Sequence, residues 1–243
     1  MKKARIKFSF ISLSIIKFIF SFAIIFTLFS AIIILIFRFV NPPVTAFMFN
    51  KSNISFDDPF YNNDQKQKWV SLENISKNLI LAVIASEDQK YLEHFGFDLD
   101  QIEKAIDEMD RGKRVRGAST ISQQVVKNLF LSGEKNIFRK VIEAELTILV
   151  EILWSKKRII EVYLNIAEFG RDVFGAEAAS SKFYRKTAKR LNKSESALLA
   201  AVLPSPTRYS VTNPSGRLIN RRERILRFMD QLGGIRKLDK LFN

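Results

Sequence analysis

An uncharged apolar run of 20 residues, from Phe18 to Phe37, constrains the folding of this chain more than any other feature of its sequence. As a helix with a rise of about 1.5 Å per residue, the run spans about 30 Å, the thickness of a bilayer's hydrocarbon core. The residues that follow, beginning Arg38-Phe39-Val40, do not form a small-residue cleavage site, so a retained membrane helix is favoured over a signal peptide. A buried core helix is the alternative, but the run is long and has no polar face.

The charges around this run predict its orientation. Five basic residues precede it and only Arg38 lies just after it. Because cytoplasmic flanks of membrane helices are enriched in Lys and Arg, we expect a cytoplasmic N-terminus. Residues from about 41 onward then face outward, which predicts a single-pass protein of the inner membrane with a periplasmic domain.

We divide the chain into four segments on this basis. They are a basic cytoplasmic N-terminus at 1–17, a transmembrane helix at 18–37, a connector at 38–70 and a folded domain at 71–243. Pro42, Pro43, Pro59 and an Asn/Asp-rich stretch predict that the connector is irregular.

The composition excludes several kinds of site. The formal net charge is +14, but the basic residues form no run interleaved with aromatics, so no nucleic-acid partner is predicted. The chain has no Cys, which excludes disulfides, thiolate catalysis and cysteine zinc sites. His94 is the only histidine, so a histidine-rich metal site is excluded and no metal-binding residue is predicted.

The chain from residue 74 onward has helical periodicity, and strand-like alternation of useful length is absent from the sequence. We therefore predict a mostly α fold. N-cap signals predict helix starts at Ser76 (or Asn74), Asp98, Ser119, Asn192 and Asn213. Ser155 is expected to divide the stretch Phe138–Phe169 into two helices.

The first polar segment that could carry chemistry is Ser86 to Gly96, which follows directly on the apolar stretch Leu79–Ala85. A carboxylate at the end of a buried helix is partly desolvated, which suits a general base, and Glu87 stands at this position. The alternative is a solvated helix terminus without a chemical role.

Two further segments carry polar residues at helical spacing. In Arg116–Asn128, hydroxyls and backbone N–H groups stand at a predicted helix start, which favours anions or sugar hydroxyls, and Lys127 adds a cation to the polar face. A capped amphipathic helix without a ligand is the alternative. In Arg139–Glu143, a carboxylate follows two cations, which is typical either of a substrate-orienting group or of a surface ion pair.

Together these segments resemble the motifs of the peptidoglycan glycosyltransferase family, in its monofunctional branch. The motifs are Glu87-Asp88 with His94-Phe95-Gly96; Gly117, Ser119, Thr120, Gln123 and Gln124 with Lys127 and Asn128; Arg139, Lys140 and Glu143; the run Lys156 to Asn165 with Gly170; and Gly175, Ala178, Ala179 and Phe183. Five motifs in this order make a specific match. The chain departs from the pattern at Lys135, the nearest counterpart of a basic residue that is often Arg.

The resemblance implies a lysozyme-like α-helical domain behind the membrane helix. It also implies an activity in cell-wall biosynthesis: polymerisation of lipid II into glycan strands, with inversion at the donor C1 and release of undecaprenyl pyrophosphate. The growing lipid-linked strand is then the second substrate. Divisome proteins and penicillin-binding proteins are the protein partners that the resemblance suggests. The resemblance allows one cofactor without requiring it, a divalent cation (Mg²⁺ or Mn²⁺) at the substrate pyrophosphate.

The resemblance also implies roles for individual residues. Glu87 is the expected catalytic base, and Glu143 is expected to be a second catalytic residue that holds the basic groups in place or binds a divalent cation. The expected substrate-binding residues are Asp88, His94, Ser119, Thr120, Gln123, Gln124, Lys127, Asn128, Lys135, Arg139, Lys140 and Asn165.

Two other functions remain open from the sequence. A lytic transglycosylase or lysozyme-like hydrolase would share the expected fold and a key glutamate, but it would cut polymeric glycan without needing a lipid substrate. A catalytically inactive, membrane-anchored scaffold of the division machinery would bind partners and turn over neither substrate.

Overall fold

The computed structural model describes residues 2–43, 45–51, 68–112, 117, 119–131 and 136–242 of the chain. The chain divides into two compact units, Met1–Val40 and Asn41–Asn243. Lys135 and most of the predicted connector lie outside the described residues.

The first unit consists of one long helix, α1 (Lys2–Phe39). Its stretch Leu13–Phe39 has 27 residues and a mean hydropathy of 2.9, so it is long and apolar enough to cross a membrane. The predicted span at 18–37 lies inside this stretch.

The second unit is mostly helical, which confirms the predicted fold class. Its helices are α2 (Ala46–Lys51), α3 (Lys77–Glu87), α4 (Leu99–Asp110), α5 (Ile121–Phe130), α6 (Ile137–Leu153), α7 (Lys156–Ile166), α8 (Ala176–Tyr184), α9 (Lys193–Val202), α10 (Gly216–Gln231) and α11 (Asp239–Phe242). Short 3₁₀ helices cover Leu72–Asn74, Ala188–Arg190 and Gly234–Leu238. The sequence did not predict the small antiparallel hairpin of β1 (Glu168–Gly170) and β2 (Val173–Phe174), in which Glu168 pairs with Phe174.

The centre of the second unit is α3, because every residue from Leu79 to Ala85 is buried. A helix that is apolar on all sides must be covered on all sides, and α9 and α10 pack against this one. Ser76 caps its start by accepting a hydrogen bond from the Asn78 backbone N–H. The helix ends at Glu87, so the candidate base stands where this buried helix reaches its polar terminus.

A second group of helices joins α5 to α6 and α7. Its buried polar centre is the Glu151 carboxylate of α6, which accepts hydrogen bonds from Ser122 Oγ (2.5 Å) and Lys156 Nζ (2.7 Å). Tyr91 donates from its hydroxyl to the Lys156 carbonyl at 2.7 Å. A buried charge is tolerated when it is paired and hydrogen-bonded, as the Glu151 carboxylate is. Its two hydrogen bonds join α6 to α5 through Ser122 and to α7 through Lys156.

Most predicted helix starts agree with the structure, and two need correction. The caps at Ser76, Asp98, Ser155 and Asn192 are present, the last as a reciprocal capping box with Glu195. The N-cap of α5 is Thr120 and not Ser119, and the N-cap of α10 is Ser215 and not Asn213. In both cases several polar residues stand close together in the sequence. The pattern alone does not determine which of them accepts a hydrogen bond from the free backbone N–H groups of the first helical turn.

Candidate active site

The Glu87 carboxylate is held at both of its oxygens. Ser86 Oγ donates to Oε1 at 3.0 Å, and Gln124 Nε2 donates to Oε2 at 3.1 Å. The Arg221 Nη2 lies 3.5 Å from Oε1. The side chain keeps 13% of its surface exposed, so it is largely desolvated but reachable. This is the environment that a positioned general base requires.

Tyr163 extends this arrangement by one further hydrogen bond. Its hydroxyl donates to Gln124 Oε1 at 3.1 Å, which fixes the amide so that Nε2 points to Glu87. Burial raises the pKa of Tyr163 well above its ordinary value, and the negative charges of Glu87 and Asp88 raise it further. The phenol therefore stays protonated and remains a donor, so Tyr163, Gln124 and Glu87 form an ordered chain.

Asp88 and His94 connect the end of α3 to the start of α5. The His94 Nε2 lies 2.9 Å and 3.0 Å from the two Asp88 oxygens, and the Ile121 backbone N–H donates to Oδ2 at 3.0 Å. Because an ionised carboxylate only accepts, we assign the donated proton to Nε2. A carboxylate at a helix N-terminus also complements the helix dipole. The structure thus places these two predicted substrate-binding residues in contact with each other and with the backbone.

Thr120 and Gln123 form a reciprocal cap at the start of α5. The Thr120 backbone N–H donates to Gln123 Oε1 at 3.0 Å, and the Gln123 backbone N–H donates to Thr120 Oγ1 at 3.3 Å. Thr120 Oγ1 also donates to the Gly96 carbonyl at 2.6 Å. Both side chains are buried, whereas Ser119 is exposed.

Gly96 has a conformation and a surrounding space that no larger residue fits. Its φ is +77°, in the left-handed region, and a Cβ atom there would lie 2.9 Å from Thr147 Cγ2 of α6. The His-x-Gly part of the first motif therefore allows the turn after α3 to approach both α5 and α6.

The polar face of α5 extends from Gln124 to Lys127 and Asn128. Residues three and four positions apart lie on the same side of a helix, so these two share the side of Gln124 that contacts Glu87. Both are half-buried. The structure therefore brings together, on one helix face, three of the predicted substrate-binding residues.

The start of α6 carries the third predicted segment. Glu143 is buried, and its carboxylate accepts a hydrogen bond from Lys140 Nζ at 2.5 Å. The Arg139 side chain is half-buried, and its Nε has no hydrogen-bond partner among the described residues. Glu143 is thus a buried carboxylate paired with an exposed lysine, and Arg139 Nε, one turn earlier on the helix, is a buried donor that needs a partner.

Asn165 lies inside the domain. It is buried, its Nδ2 donates to the carbonyls of Val70 (2.9 Å) and Glu161 (2.8 Å), and its Oδ1 accepts from the Val70 backbone N–H (2.9 Å). These bonds hold the segment before α3 against α7. The geometry gives Asn165 a scaffolding contact.

Three residues that contact the Glu87 chain were not among the predicted site residues: Ser86, Tyr163 and Arg221. Tyr163 lies within the fourth motif and could have been found there. Arg221 has a different signal, because it stands between Leu218 and Ile225, both buried on α10. A charged residue at a core-facing helical position indicates a buried partner.

The described residues contain no group of three His, Asp or Glu side chains that could hold a metal ion.

Comparison with known proteins adds an independent line of evidence. A family model described as "Transglycosylase" matches residues 56–230. A "Biosynthetic peptidoglycan transglycosylase" of Pasteurella multocida is 48% identical over 213 residues, which cover 88% of this chain and 86% of the relative. Proteins of the same description from Haemophilus influenzae and Shigella sonnei are 49% identical over 213 residues (86% and 87% covered) and 57% identical over 167 residues (68% and 69% covered).

Proposed function

This chain belongs to the transglycosylase family, and on that premise we propose that Glu87 is the base with which it polymerises lipid II. The protein is a peptidoglycan glycosyltransferase, an enzyme of cell-wall synthesis. The observation that supports the role of Glu87 is its carboxylate, largely desolvated and held at both oxygens by Ser86 and Gln124.

In the proposed reaction, the 4-hydroxyl oxygen of the acceptor sugar attacks C1 of the donor sugar at the lipid end of the growing strand. The O4–C1 bond forms as the bond from C1 to the pyrophosphate oxygen breaks, and undecaprenyl pyrophosphate leaves. Glu87 takes the hydroxyl proton. Attack from the side opposite the leaving group inverts the configuration at C1. Proton transfer to a positioned base contributes about 10²–10⁴ in rate.

The leaving pyrophosphate develops negative charge, and the basic side chains of α5 and α6 are suited to stabilise it. We assign this role to Lys127, Arg139 and Lys140. The unpartnered Nε of Arg139 and the ion pair between Lys140 and Glu143 support the assignment. In this role Glu143 orients the side chain of Lys140, and Lys140 contacts the substrate.

A divalent cation, Mg²⁺ or Mn²⁺, at the pyrophosphate remains part of the proposal. When bound, such a cation neutralises charge on the leaving group. The described residues supply no ready-made ligand set for it, so no step of the proposed reaction depends on it. Polymerisation after treatment with EDTA, compared with activity after Mg²⁺ is restored, tests this point.

We further propose that α1 anchors the enzyme in the inner membrane with the second unit in the periplasm. The apolar stretch of α1 and the basic residues before it support this orientation. Divisome proteins and penicillin-binding proteins are the protein partners we propose, on the basis of the family to which the chain belongs.

The central test of the function is the Glu87→Gln variant. We expect it to keep the melting temperature of the wild type and to lose lipid II polymerisation by about 10²–10⁴ in rate, because an amide cannot accept the proton. Glu93→Gln is the matched control: this glutamate is 51% exposed and pairs with Lys237. We expect the control variant to polymerise lipid II at close to the wild-type rate.

Two results would contradict the proposal. Substantial polymerisation by Glu87→Gln would exclude the glutamate as base. Release of soluble fragments from purified sacculi, without product from lipid II, would identify a hydrolytic enzyme instead.

A further inference from the structure

We propose that residues 41–51 are a positioning segment for the reaction on membrane-embedded lipid II. They attach the chain to α5 and α7 directly after the membrane helix, so that α5 stands at one height above the bilayer surface. This inference rests on the proposed function and on the proposed membrane anchor. It concerns the beginning of the segment 38–70, for which the sequence predicts an irregular connector.

The first attachment lies two residues after the end of α1. Asn41 is the first residue of the second unit, and its Oδ1 accepts a hydrogen bond from Arg158 Nη1 of α7 at 3.0 Å. The Arg158 guanidinium lies 5.9 Å from the ring centroid of Trp154 and 5.4 Å from that of Trp69. It also pairs with Glu161, and its side chain is 13% exposed. A planar guanidinium held by several groups offers Asn41 a donor in a fixed place.

The second attachment is α2, which packs against α5. Met48 of α2 is 1% exposed, and the Phe47 ring meets the Phe174 ring of β2 edge-on, with 6.2 Å between the centroids. Thr45 is buried as well, and its Oγ1 accepts a hydrogen bond from the Met48 backbone N–H at 3.1 Å. Release of α2 would expose its buried apolar surface to water, so the docked arrangement is favoured.

The composition of the segment also differs from that of a flexible tether. A flexible linker is rich in Gly and Ser, and it sets only a local concentration of the domain near the membrane. Residues 41–51 contain no Gly and no Ser, and Pro42 and Pro43 restrict the backbone at their start. The segment therefore suits a fixed geometry.

The placement of α5 matters for the reaction. This helix carries Gln124, which holds Glu87, and Lys127, to which we assign the leaving pyrophosphate. In lipid II the pyrophosphate joins the sugar to the lipid, so a bilayer holds it at the depth of the headgroups. A segment that docks on α5 directly after a membrane helix matches the height of Lys127 to that depth.

Two insertions of Gly-Ser-Gly-Ser into the full-length chain test the inference. One lies between Val40 and Asn41, before the positioning segment, and adds up to about 14 Å of chain between the membrane helix and the domain. The matched control lies between Asp57 and Asp58, after α2, and adds the same length without changing the path from α1 to α5. Initial rates of lipid II polymerisation are measured in proteoliposomes and in detergent micelles, which adapt their shape to the protein.

The two preparations should respond differently. We expect the insertion before Asn41 to lower the rate in proteoliposomes by about 10- to 100-fold, since a misplacement of about 1 Å can cost about 10² in rate. In micelles the same variant should polymerise lipid II at close to the wild-type rate, because the bound substrate can follow the displaced site. The insertion between Asp57 and Asp58 should leave both rates close to those of the wild type.

Arg158→Gln tests the first attachment without a change in chain length. We expect a several-fold loss of rate in proteoliposomes and a rate close to that of the wild type in micelles. Lys157→Gln is the control in the same turn of α7, because Lys157 pairs with Glu73. Its rates should stay close to those of the wild type in both preparations.

The possible outcomes separate the inference from the function on which it rests. Equal losses from the two insertions would show that only the length of the tether matters, and no loss from either would show that the segment does not place the site. Both results overturn the inference while the function stands. A loss in micelles as large as in proteoliposomes would assign the segment a role in folding, which also overturns it. If the wild-type chain makes no polymer in either preparation, the proposed function itself fails.

Folding of each variant is checked by its melting temperature. If the insertion before Asn41 or Arg158→Gln melts below the assay temperature, Asn41→Ala takes its place, since this residue is exposed. Asn41→Ala must then lose rate in proteoliposomes and not in micelles, and the absence of that difference overturns the inference.

Discussion

At the scale of single residues, Tyr163 shows how burial adjusts a group that supports the base. Its pKa lies well above its ordinary value of 10.0, first because of burial and then because of the charges on Glu87 and Asp88. At pH values between 10.0 and the pKa of Tyr163 in the folded protein, the unfolded chain loses the phenolic proton while the folded protein keeps it. The unfolded state then binds fewer protons, so the free energy of unfolding falls as pH rises.

This linkage predicts the behaviour of Tyr163→Phe. The stability contribution of the protonated phenol is fully present below pH 10.0 and is lost as pH rises toward the folded-state pKa. We expect the melting temperature of the variant to fall less between about pH 9 and about pH 11 than that of the wild type. At neutral pH the variant should be less stable by about 1–3 kcal/mol, because Gln124 Oε1 loses its donor.

Thermal melts across this pH range check the prediction, with Tyr209→Phe as the control for removing a tyrosine hydroxyl elsewhere. Equal loss of stability with pH in the wild type and in Tyr163→Phe would contradict it.

At the scale of elements, the start of α5 carries the largest group of predicted substrate-binding residues. Asp88, Thr120 and Gln123 all bind backbone groups there. A backbone N–H and a sugar hydroxyl are both hydrogen-bond donors, so the same residue types suit a cap and a carbohydrate site. Sequence reasoning could find these residues, but it could not separate the two roles.

Thr120→Ala distinguishes the two roles. If the hydroxyl caps α5, its loss should lower the free energy of unfolding by about 0.5–2 kcal/mol and leave the KM for lipid II nearly unchanged. Thr120→Ser, which keeps the cap, should restore the stability. Melting curves and initial rates measured on the same preparations check both parts.

A contrary result is easily recognised here. A several-fold rise in KM without loss of stability would show that Thr120 binds substrate.

Other elements were predictable to the extent that their signals are local. The division into two helices at Ser155 and the capping box of α9 at Asn192 depend on residues within one turn, and both predictions are confirmed. The hairpin at Glu168–Phe174 was missed because its strands are two and three residues long, too short for alternation to be visible. Arg221 was missed because its partners Ser86 and Glu87 lie 135 and 134 positions earlier in the chain.

At the scale of the whole molecule, the absence of cysteine makes the predicted topology directly testable. A single cysteine at Lys7, before the span, or at Arg217, exposed on α10, would be the only thiol in the chain. We expect a membrane-impermeant maleimide to label Arg217→Cys in intact spheroplasts, and to label Lys7→Cys only after lysis.

The opposite labelling pattern would place the second unit in the cytoplasm. Lipid II polymerisation by both variants serves as the control that each protein is folded. This experiment tests the orientation that the basic N-terminus predicts and that an apolar helix alone leaves open.

The assembly of the Glu87 site has a consequence for when the enzyme becomes active. Its parts come from α3, α5, α7 and α10, so the chain must be made and folded as far as residue 221 before the guanidinium can reach the carboxylate. A chain that has not yet formed its last long helix therefore has the candidate base without all the groups that surround it in the finished fold.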